Sequence, residues 1–370
     1  MKTGIAIADC HLGYRQFGLA DRAEDFYRAF QFTVETAIAK KVDFFIIAGD
    51  AINSFYPHPR CLEVLQAGVD TLREKGIMVL GISGNHDAIT PSWLSLAGVI
   101  PLHDNVATIG GEVKISGFNY MPEAEALERI KNIPDVDIFV MHQTFSEFVE
   151  YKNASALSVL KLNPKVPLYV FGDLHNGMLR RFKDDKVDFQ AGYPGAIELW
   201  KTDEARVKNM WLIKVDGANT SVEVLPIRTR PVLDLEVVDE ASLTEAISKI
   251  ENMIKCMAVA GASLGVYENR PLVFLKYNAK VTEIMGRLRM AVGEKCLLRP
   301  IPMDQATNEA VRYDTMQDAI QLKDVLSNWL APSSPEFGMT MQFLENAGER
   351  EMVAQQFMDS VGITREAVKA

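Results

Sequence analysis

The sequence predicts an α/β protein whose first half is a layered core of strands and helices, and three observations carry that expectation. Five short apolar runs rich in β-branched and aromatic residues recur there: TGIAIA (3–8), DFFIIA (43–48), GIMVLGI (76–82), DIFVM (137–141) and PLYVF (167–171). Between the early runs lie segments with apolar residues at helical spacing. Each run also stops at, or just before, residues able to ligate a metal. Runs apolar throughout are expected where a strand is covered on both faces, and strands alternating with helices build such a layered sheet.

The first helical segment is DRAEDFYRAFQFTVETAIAKK (21–41). The second is PRCLEVLQAGVDTLREKG (59–76), with Pro59 near its start and Gly76 past its end, the usual asymmetry of helix termini. From about 186 to 228 the text turns to strand-like pieces with polar breaks: VDFQAGYPGA, NMWLIKVDG and TSVEVLPIRTRP. Beyond Arg230, LDLEVV, ASLTEAISKIENMIKCM, PLVFLKYN, VTEIMGRLRMAVG and CLLRPIPM read as β-α-β-α-β, a second, small α+β domain. MQDAIQLKDVLSNWL and MQFLENAGEREMVAQQFMDSVG read as helices split at Pro332 and Pro335. The expected domains are 1–228, 229–303 and a helical tail, 304–370.

The chain's 370 residues suit more than one domain. No apolar stretch approaches the ~20 residues that span a bilayer. The N-terminus lacks the small-residue cleavage site of a signal peptide, so neither export nor membrane insertion is expected. Cys10, Cys61, Cys256 and Cys296 form no CxxC pair, which argues against structural zinc and a disulfide framework and for a reducing cytoplasm. A net charge of −10 argues against coating nucleic acid by bulk electrostatics. It leaves room for a nuclease, because bound divalent ions supply positive charge locally.

The metal-capable residues follow the runs in order. Asp9, Cys10 and His11 come after the first, Gly49 and Asp50 after the second, and Gly84, Asn85, His86 and Asp87 after the third. His142 follows the fourth, and Asp173 and His175 the fifth. In open α/β sheets ligands bind beyond the strand C-termini, so these ends should converge. In extended chain, residues i and i+2 share a face. That predicts Asp9 and His11 on one ion with Cys10 turned inward, and Asp173 paired with His175 with Leu174 buried. Seven oxygen and nitrogen donors exceed the needs of one ion and suit two, bridged by a carboxylate about 3.5–4 Å from each other. A donor set without thiolate favours manganese or iron over structural zinc, with magnesium also compatible. Such a pair serves phosphoester hydrolysis, and His86, next to Asn85 in a turn, is the candidate proton donor. His58 and His103 read as ordinary loop residues.

The order D-x-H, G-D, G-N-H-D, H, G-x-x-H resembles the calcineurin-like metallophosphoesterase superfamily. The fuller text ADCHLGYRQFGLADRAEDFYRAF, followed by VDFFIIAGD and ISGNHD, resembles the SbcD nuclease family. These are the nuclease subunits of SbcCD-type (Mre–Rad-type) double-strand-break repair complexes, phage recombination endonuclease subunits among them. The match covers roughly the first 200 residues; beyond 230 only the layout is similar.

The resemblance implies a four-layer α/β/β/α sandwich, a small capping domain, and a helical tail that docks on a partner ATPase. It implies Asp9, His11 and His175 on one manganese, Asn85, His142 and Asp173 on the other, Asp50 bridging, and His86 in catalysis. It further implies exonuclease activity on double-stranded DNA ends, endonuclease activity on single strands, and a homodimer bound to an SbcC/Rad-type, SMC-like ATPase. The setting would be the cytoplasm, that of the host for a phage protein. Two positions depart from the family: Asp173 stands where G-H-x-H is usual, and Asn53 stands where a catalytic histidine often follows the bridging aspartate. Asn53 can hydrogen-bond a phosphate or sugar but cannot donate a proton as imidazolium does. The rivals are another calcineurin-like phosphodiesterase or phosphatase, and a catalytically degenerate scaffold for the ATPase. Phosphatases of the superfamily typically carry a D-R pair that GDAINS lacks, and the retained ligands oppose the scaffold. Leu322, Val325, Leu326, Trp329 and Leu330 would line one side of a tail helix as the partner face. DRAEDFYRAF and the loop near Trp93 are candidates for a dimer face. Arg180, Arg181 and Lys183 are either DNA-backbone contacts or a solvated face.

Overall fold

The computed structural model describes residues 1–303 apart from 151–154, 218, 265–269 and 279–281. The expected tail, 304–370, and its proposed partner face therefore lie outside the described residues. In chain order the elements are β1 (Lys2–Ile7), α1 (Ala20–Ala39), β2 (Phe44–Ala48), α2 (Pro59–Glu74), β3 (Met78–Ile82), α3 (Trp93–Leu96), β4 (Ile100–Pro101), β5 (Val106–Ile109) and β6 (Val113–Phe118). They continue with α4 (Glu123–Arg129), β7 (Ile138–His142), β8 (Leu168–Gly172), β9 (Met178–Lys183), β10 (Asp188–Tyr193), β11 (Lys208–Asp216) and β12 (Asn219–Ile227). The last are β13 (Val232–Val237), α5 (Glu240–Leu264), β14 (Leu272–Tyr277), α6 (Thr282–Val292) and β15 (Leu297–Pro302). The described chain divides into two compact units. One comprises 1–233, 252–273 and 294–297; the other comprises 234–251, 274–293 and the described residues from 298.

The first unit is built on two six-stranded sheets, ordered β12-β11-β1-β2-β3-β4 and β5-β6-β7-β8-β10-β9. Strands β1 to β4 run parallel, while β11 joins β1 antiparallel. In the second sheet β6, β7, β8 and β10 run parallel, with β5 and β9 antiparallel at the edges.

The two-residue period of the strands builds the layers. On β1, Ile5 and Ile7 face the helices while Ala6 faces the second sheet; on β2, Phe45 and Ile47 do the former and Phe44 and Ile46 the latter. On β7 and β8, Ile138, Val140, Leu168 and Val170 join the inter-sheet core, and Phe139, Met141, Tyr169 and Phe171 form an aromatic-rich outer cluster. Full burial of each such aliphatic or phenyl side chain stabilises by ~1.5–3 kcal/mol. The result is the four-layer α/β/β/α sandwich of the calcineurin-like fold. Strands β4, β5, β6 and β9 are absent from the sequence reading: β4 is only two residues long, and the alternating or polar text of the other three lacks a continuous apolar run.

Helix α1 is tied down by a buried ionic network. Arg22 pairs with Asp25 and, at 3.1 Å, with Glu198; Arg230 grips Asp25 through Nε at 2.7 Å and Nη2 at 2.8 Å. Arg22 Nε also donates to Gln16, whose amide in turn donates to the Trp200 carbonyl at 2.8 Å. Most of DRAEDFYRAF is buried in the core, with Arg22, Asp25, Phe26 and Phe30 inaccessible, which leaves Asp21, Glu24 and Arg28 as its accessible side chains.

The remaining sheet is β13-β14-β15, and with α5 and α6 between its strands it follows the β-α-β-α-β order read from the sequence.

Candidate metal centre

The ligand-bearing loops leave the C-terminal ends of β1, β2, β3 and β8, and His142 is the last residue of β7. The Asp9 amide donates to the Gly49 carbonyl at 3.2 Å and the His11 amide to the Asp50 carbonyl at 2.9 Å, which holds the first two loops side by side. The backbone there is not extended. Asp9, His11 and Asp173 have φ of 49°, 42° and 101°, left-handed values that aspartate and histidine tolerate better than most residues. Convergence thus comes from coiled turns rather than a pleat. Cys10 is nonetheless buried, and Leu174 is half-buried against the aromatic cluster.

Two glycines provide clearance. A Cβ on Gly49, at φ +89°, would lie 2.2 Å from His142 Nδ1, and one on Gly84 would lie 2.1 Å from Asp50 Oδ1. No larger residue fits either place without displacing a functional side chain.

Three overlapping triads bring their donor atoms within 4.8 Å of one another: Asp9–His11–His175, His11–Asp50–His86 and Asp9–Asp50–His142. His11 Nε2 lies 3.1 Å from His175 Nε2 and 3.8 Å from Asp50 Oδ2. His142 Nε2 lies 3.4 Å from the same Asp50 oxygen and 3.1 Å from Asn85 Oδ1. Its Nδ1 faces the Ala48 carbonyl at 3.0 Å; a carbonyl only accepts, so Nδ1 carries the proton and Nε2 turns inward. Asp173 joins by its backbone, donating to Asp9 Oδ1 at 3.0 Å, while its carboxylate accepts from the Thr144 hydroxyl and lies outside the triads. Imidazoles, carboxylates and an amide oxygen without thiolate fit a divalent ion of the manganese, iron or magnesium type.

Charge tells the same story. Burial pushes Asp9 up to about 6 despite the opposing pull of His142 and His175. Burial also opposes a charge on His142, yet Asp50 and Asp9 outweigh it and raise the imidazole well above its ordinary value. Burial wins at His11, holding it neutral. The carboxylates therefore demand positive charge at Asp50 and His142, a demand that a divalent ion meets by displacing a proton. Burial and the neighbouring Asp50 lift Asp87 to about 6; its oxygens accept from the Gly84 amide at 2.6 Å and the Ala51 amide at 2.8 Å, shaping the turn that presents Asn85 and His86.

His86 donates from Nδ1 to the Asn53 backbone carbonyl at 3.1 Å, and the Asp50 carboxylate takes its amide at 2.8 Å. Asn53 thus meets His86 through its main chain, while its side-chain oxygen accepts from the Trp200 indole at 3.4 Å. An open cavity of about 880 Å³ lies over these groups, lined by Asp50, Asn85, His86, Asp173, His175 and Arg180 among others. Arg180 donates to the Glu147 carbonyl, and Arg181 and Lys183 pair with Asp188. His58 caps α2, and His103 accepts from the Asn119 amide.

The sequence reading missed Trp200, Glu204 and Lys208. The Trp200 ring stacks on His11 at 5.3 Å and meets His175 edge-on at 4.8 Å. Glu204 bonds His175 Nδ1 at 2.8 Å and Lys208 Nζ at 2.5 Å. Burial opposes its charge, but the His175 bond and Lys208 hold Glu204 down at about 2. The acid–base pairing of Glu204 and Lys208 carries no helical spacing to read, since the first lies in a loop and the second opens β11, and no local motif marks Trp200.

The sandwich and its triads define a metallophosphoesterase: residues 5–177 match the family model of the calcineurin-like phosphoesterases. Three proteins named DNA double-strand break repair protein Mre11 are similar over longer stretches. That of Aeropyrum pernix is 43% identical over 284 residues, 67% of each chain. That of Methanocaldococcus jannaschii is 27% identical over 301 residues, 74% of this chain and 75% of the other. That of Sulfurisphaera tokodaii is 23% identical over 396 aligned positions, 100% and 99% of the two. The chain belongs to the Mre11 family.

Proposed function

We propose that the protein is a metal-dependent DNA nuclease that hydrolyses phosphodiester bonds, the nuclease subunit of an SbcCD-type repair complex. The observation that carries the reading is Asp50 Oδ2, which lies 3.8 Å from His11 Nε2 and 3.4 Å from His142 Nε2 and so suits a bridge between two ions. Asp9, His11 and His175 would hold the first ion, and His142, Asn85 and Asp173 the second. When bound, such a pair acidifies a water and offsets charge on a phosphate. His86, its Nδ1 fixed by Asn53, presents its other nitrogen to the cavity and handles the proton of the departing oxygen. Arg180 and Lys201, both lining the cavity, offer cations to flanking phosphates.

The names of the relatives support DNA repair as the setting. The resemblance in HLGYRQFG and DFYRAF supports the finer features: exonuclease action on duplex ends and endonuclease action on single strands, manganese, a homodimer, an SMC-like ATPase partner and the cytoplasm. Among the described residues no helix is long and apolar enough to cross a membrane.

The test is cleavage of end-labelled duplex DNA with manganese or magnesium, with and without the ATPase subunit, using Asp50→Ala as the blank. Metal-dependent shortening lost in the blank is expected. No cleavage under any condition, with the ATPase still bound, would favour a scaffold.

A further inference from the structure

The loop between β10 and β11 carries a carboxylate with four donors around it. Glu204 Oε1 takes His175 Nδ1 at 2.8 Å and the Lys201 amide at 3.0 Å; Oε2 takes the Trp200 amide at 3.0 Å and Lys208 Nζ at 2.5 Å. Both members of the ion pair are buried, at 7% and 2% exposure. A buried pair contributes little net stability compared with an apolar packing of equal volume, so stability alone is a weak reason for it. Its geometry suggests another. Glu204 lies on the far side of the His175 ring from His11, and a carboxylate that accepts from Nδ1 keeps the proton there, turning the Nε2 lone pair towards His11 and Asp9. Trp200 closes the ring's third side edge-on and is itself held by Gln16, which accepts from Arg22.

We propose that Glu204, clamped by Lys208 and two backbone amides, is a positioning residue that fixes the tautomer and ring plane of His175 and so sets how tightly the Asp9–His11–His175 ion is held. The inference rests on the metal-centre reading above and concerns one of its two ions. Carboxylates behind metal-bound imidazoles raise ligand basicity and lock orientation, and their loss typically weakens metal binding 10–100-fold. Glu204 acts through His175 and need not touch substrate.

The experiment is manganese titration of the full chain by calorimetry, for wild type, Glu204→Gln, Glu204→Asp, His175→Asn and Asp50→Ala, with ¹⁵N NMR of the histidines in the metal-free protein. The glutamine keeps the size but loses the charge; the aspartate keeps the charge but draws back from His175, and either suffices if the other fails to fold. Expected are one ion loosened about 10–100-fold and the other nearly unchanged, with His175 losing its Nδ1-protonated signature. Adding Glu204→Gln to His175→Asn should weaken binding little further, since both remove the same ligand geometry. A folded variant with a lower melting temperature but both affinities within about twofold of wild type would reduce Glu204 to a loop staple and overturn the proposal. Two ions bound by wild type and lost in Asp50→Ala would leave the metal-centre reading standing in that case. A wild type that binds no divalent ion would end both.

Discussion

His11 and His175, 164 residues apart in sequence, bring their Nε2 atoms to 3.1 Å from one another with Asp9 and Asp50 alongside. Two imidazole nitrogens facing each other across so short a gap can share a single proton or both bind a cation. With the proton of His175 held at Nδ1 by Glu204, its Nε2 lone pair faces His11 and is open to the His11 proton or, with Asp9 and Asp50 alongside, to a divalent cation that displaces it. Manganese should therefore raise the thermal unfolding temperature. At 100 times the dissociation constant, one site adds about 2.7 kcal/mol of stability. Asp50→Ala should remove most of the effect, and a chelator should return wild type to the metal-free value. An unfolding temperature indifferent to manganese would refute the site.

His86 belongs to a different part of the chemistry. His86→Ala should lower kcat for DNA cleavage by a factor on the order of 10²–10⁴, the usual worth of a positioned acid or base. Metal affinity should stay close to wild type, because the other two triads lack this residue. Full activity in a variant that still binds metal would remove His86 from the mechanism.

Arg230→Met should be costly far from the centre. It strips Asp25 of two hydrogen bonds where both side chains are almost wholly enclosed. Removing one partner of such a pair destabilises by ~3–5 kcal/mol, readable by denaturant unfolding. Because Arg22 and Gln16 continue the network to the Trp200 carbonyl, the same variant should also disturb the indole beside His11, visible as altered tryptophan fluorescence.

The Lys2–Asp43 pair, 2.8 Å apart, gives a pH signature. Burial opposes ionisation of Asp43, but the bond from Lys2 and the Thr3 amide lower it below 3.8, so its contribution is full above pH 3.8 and fades as pH falls through the depressed value. Lys2 is raised above 10.5 by its hydrogen bond to Asp43, so its contribution is full below pH 10.5 and fades as pH rises through the raised value. The melting-temperature gap between wild type and Asp43→Asn should be flat at neutral pH and close at both extremes. A gap that persists at pH 2 would contradict the assignment.

What could be read from the text alone follows from what is local. Residues 44–48, 138–141 and 167–171 are apolar at every position because both of their faces are covered, and they emerge as β2, β7 and β8. The residues after them were visible as a group because each loop sits at a strand end. The turn conformation of Asp9 and His11 was not legible, since alternation describes a pleat and these residues adopt positive φ. Glu204 was hidden for a different reason: its partner His175 lies 29 residues back, across two strands, and WKTDE reads as an ordinary polar break. Asn53 shows the same limit, because its part near His86 is played by a main-chain oxygen that any residue carries.

Strand β1 lies between β2 and β11, pairing Lys2 with Val215 and Ala6 with Trp211. A chain emerging from the ribosome has made every residue of the three triads by position 175, yet β1 lacks one neighbour until some 40 further residues follow. At 5–20 residues per second that is a delay of roughly 2–8 s. Trp200, Glu204 and Lys208 all arrive within it. A nascent or prematurely ended chain thus carries the triad residues without the wall that orients His175, so the centre matures only as this part of the sheet closes.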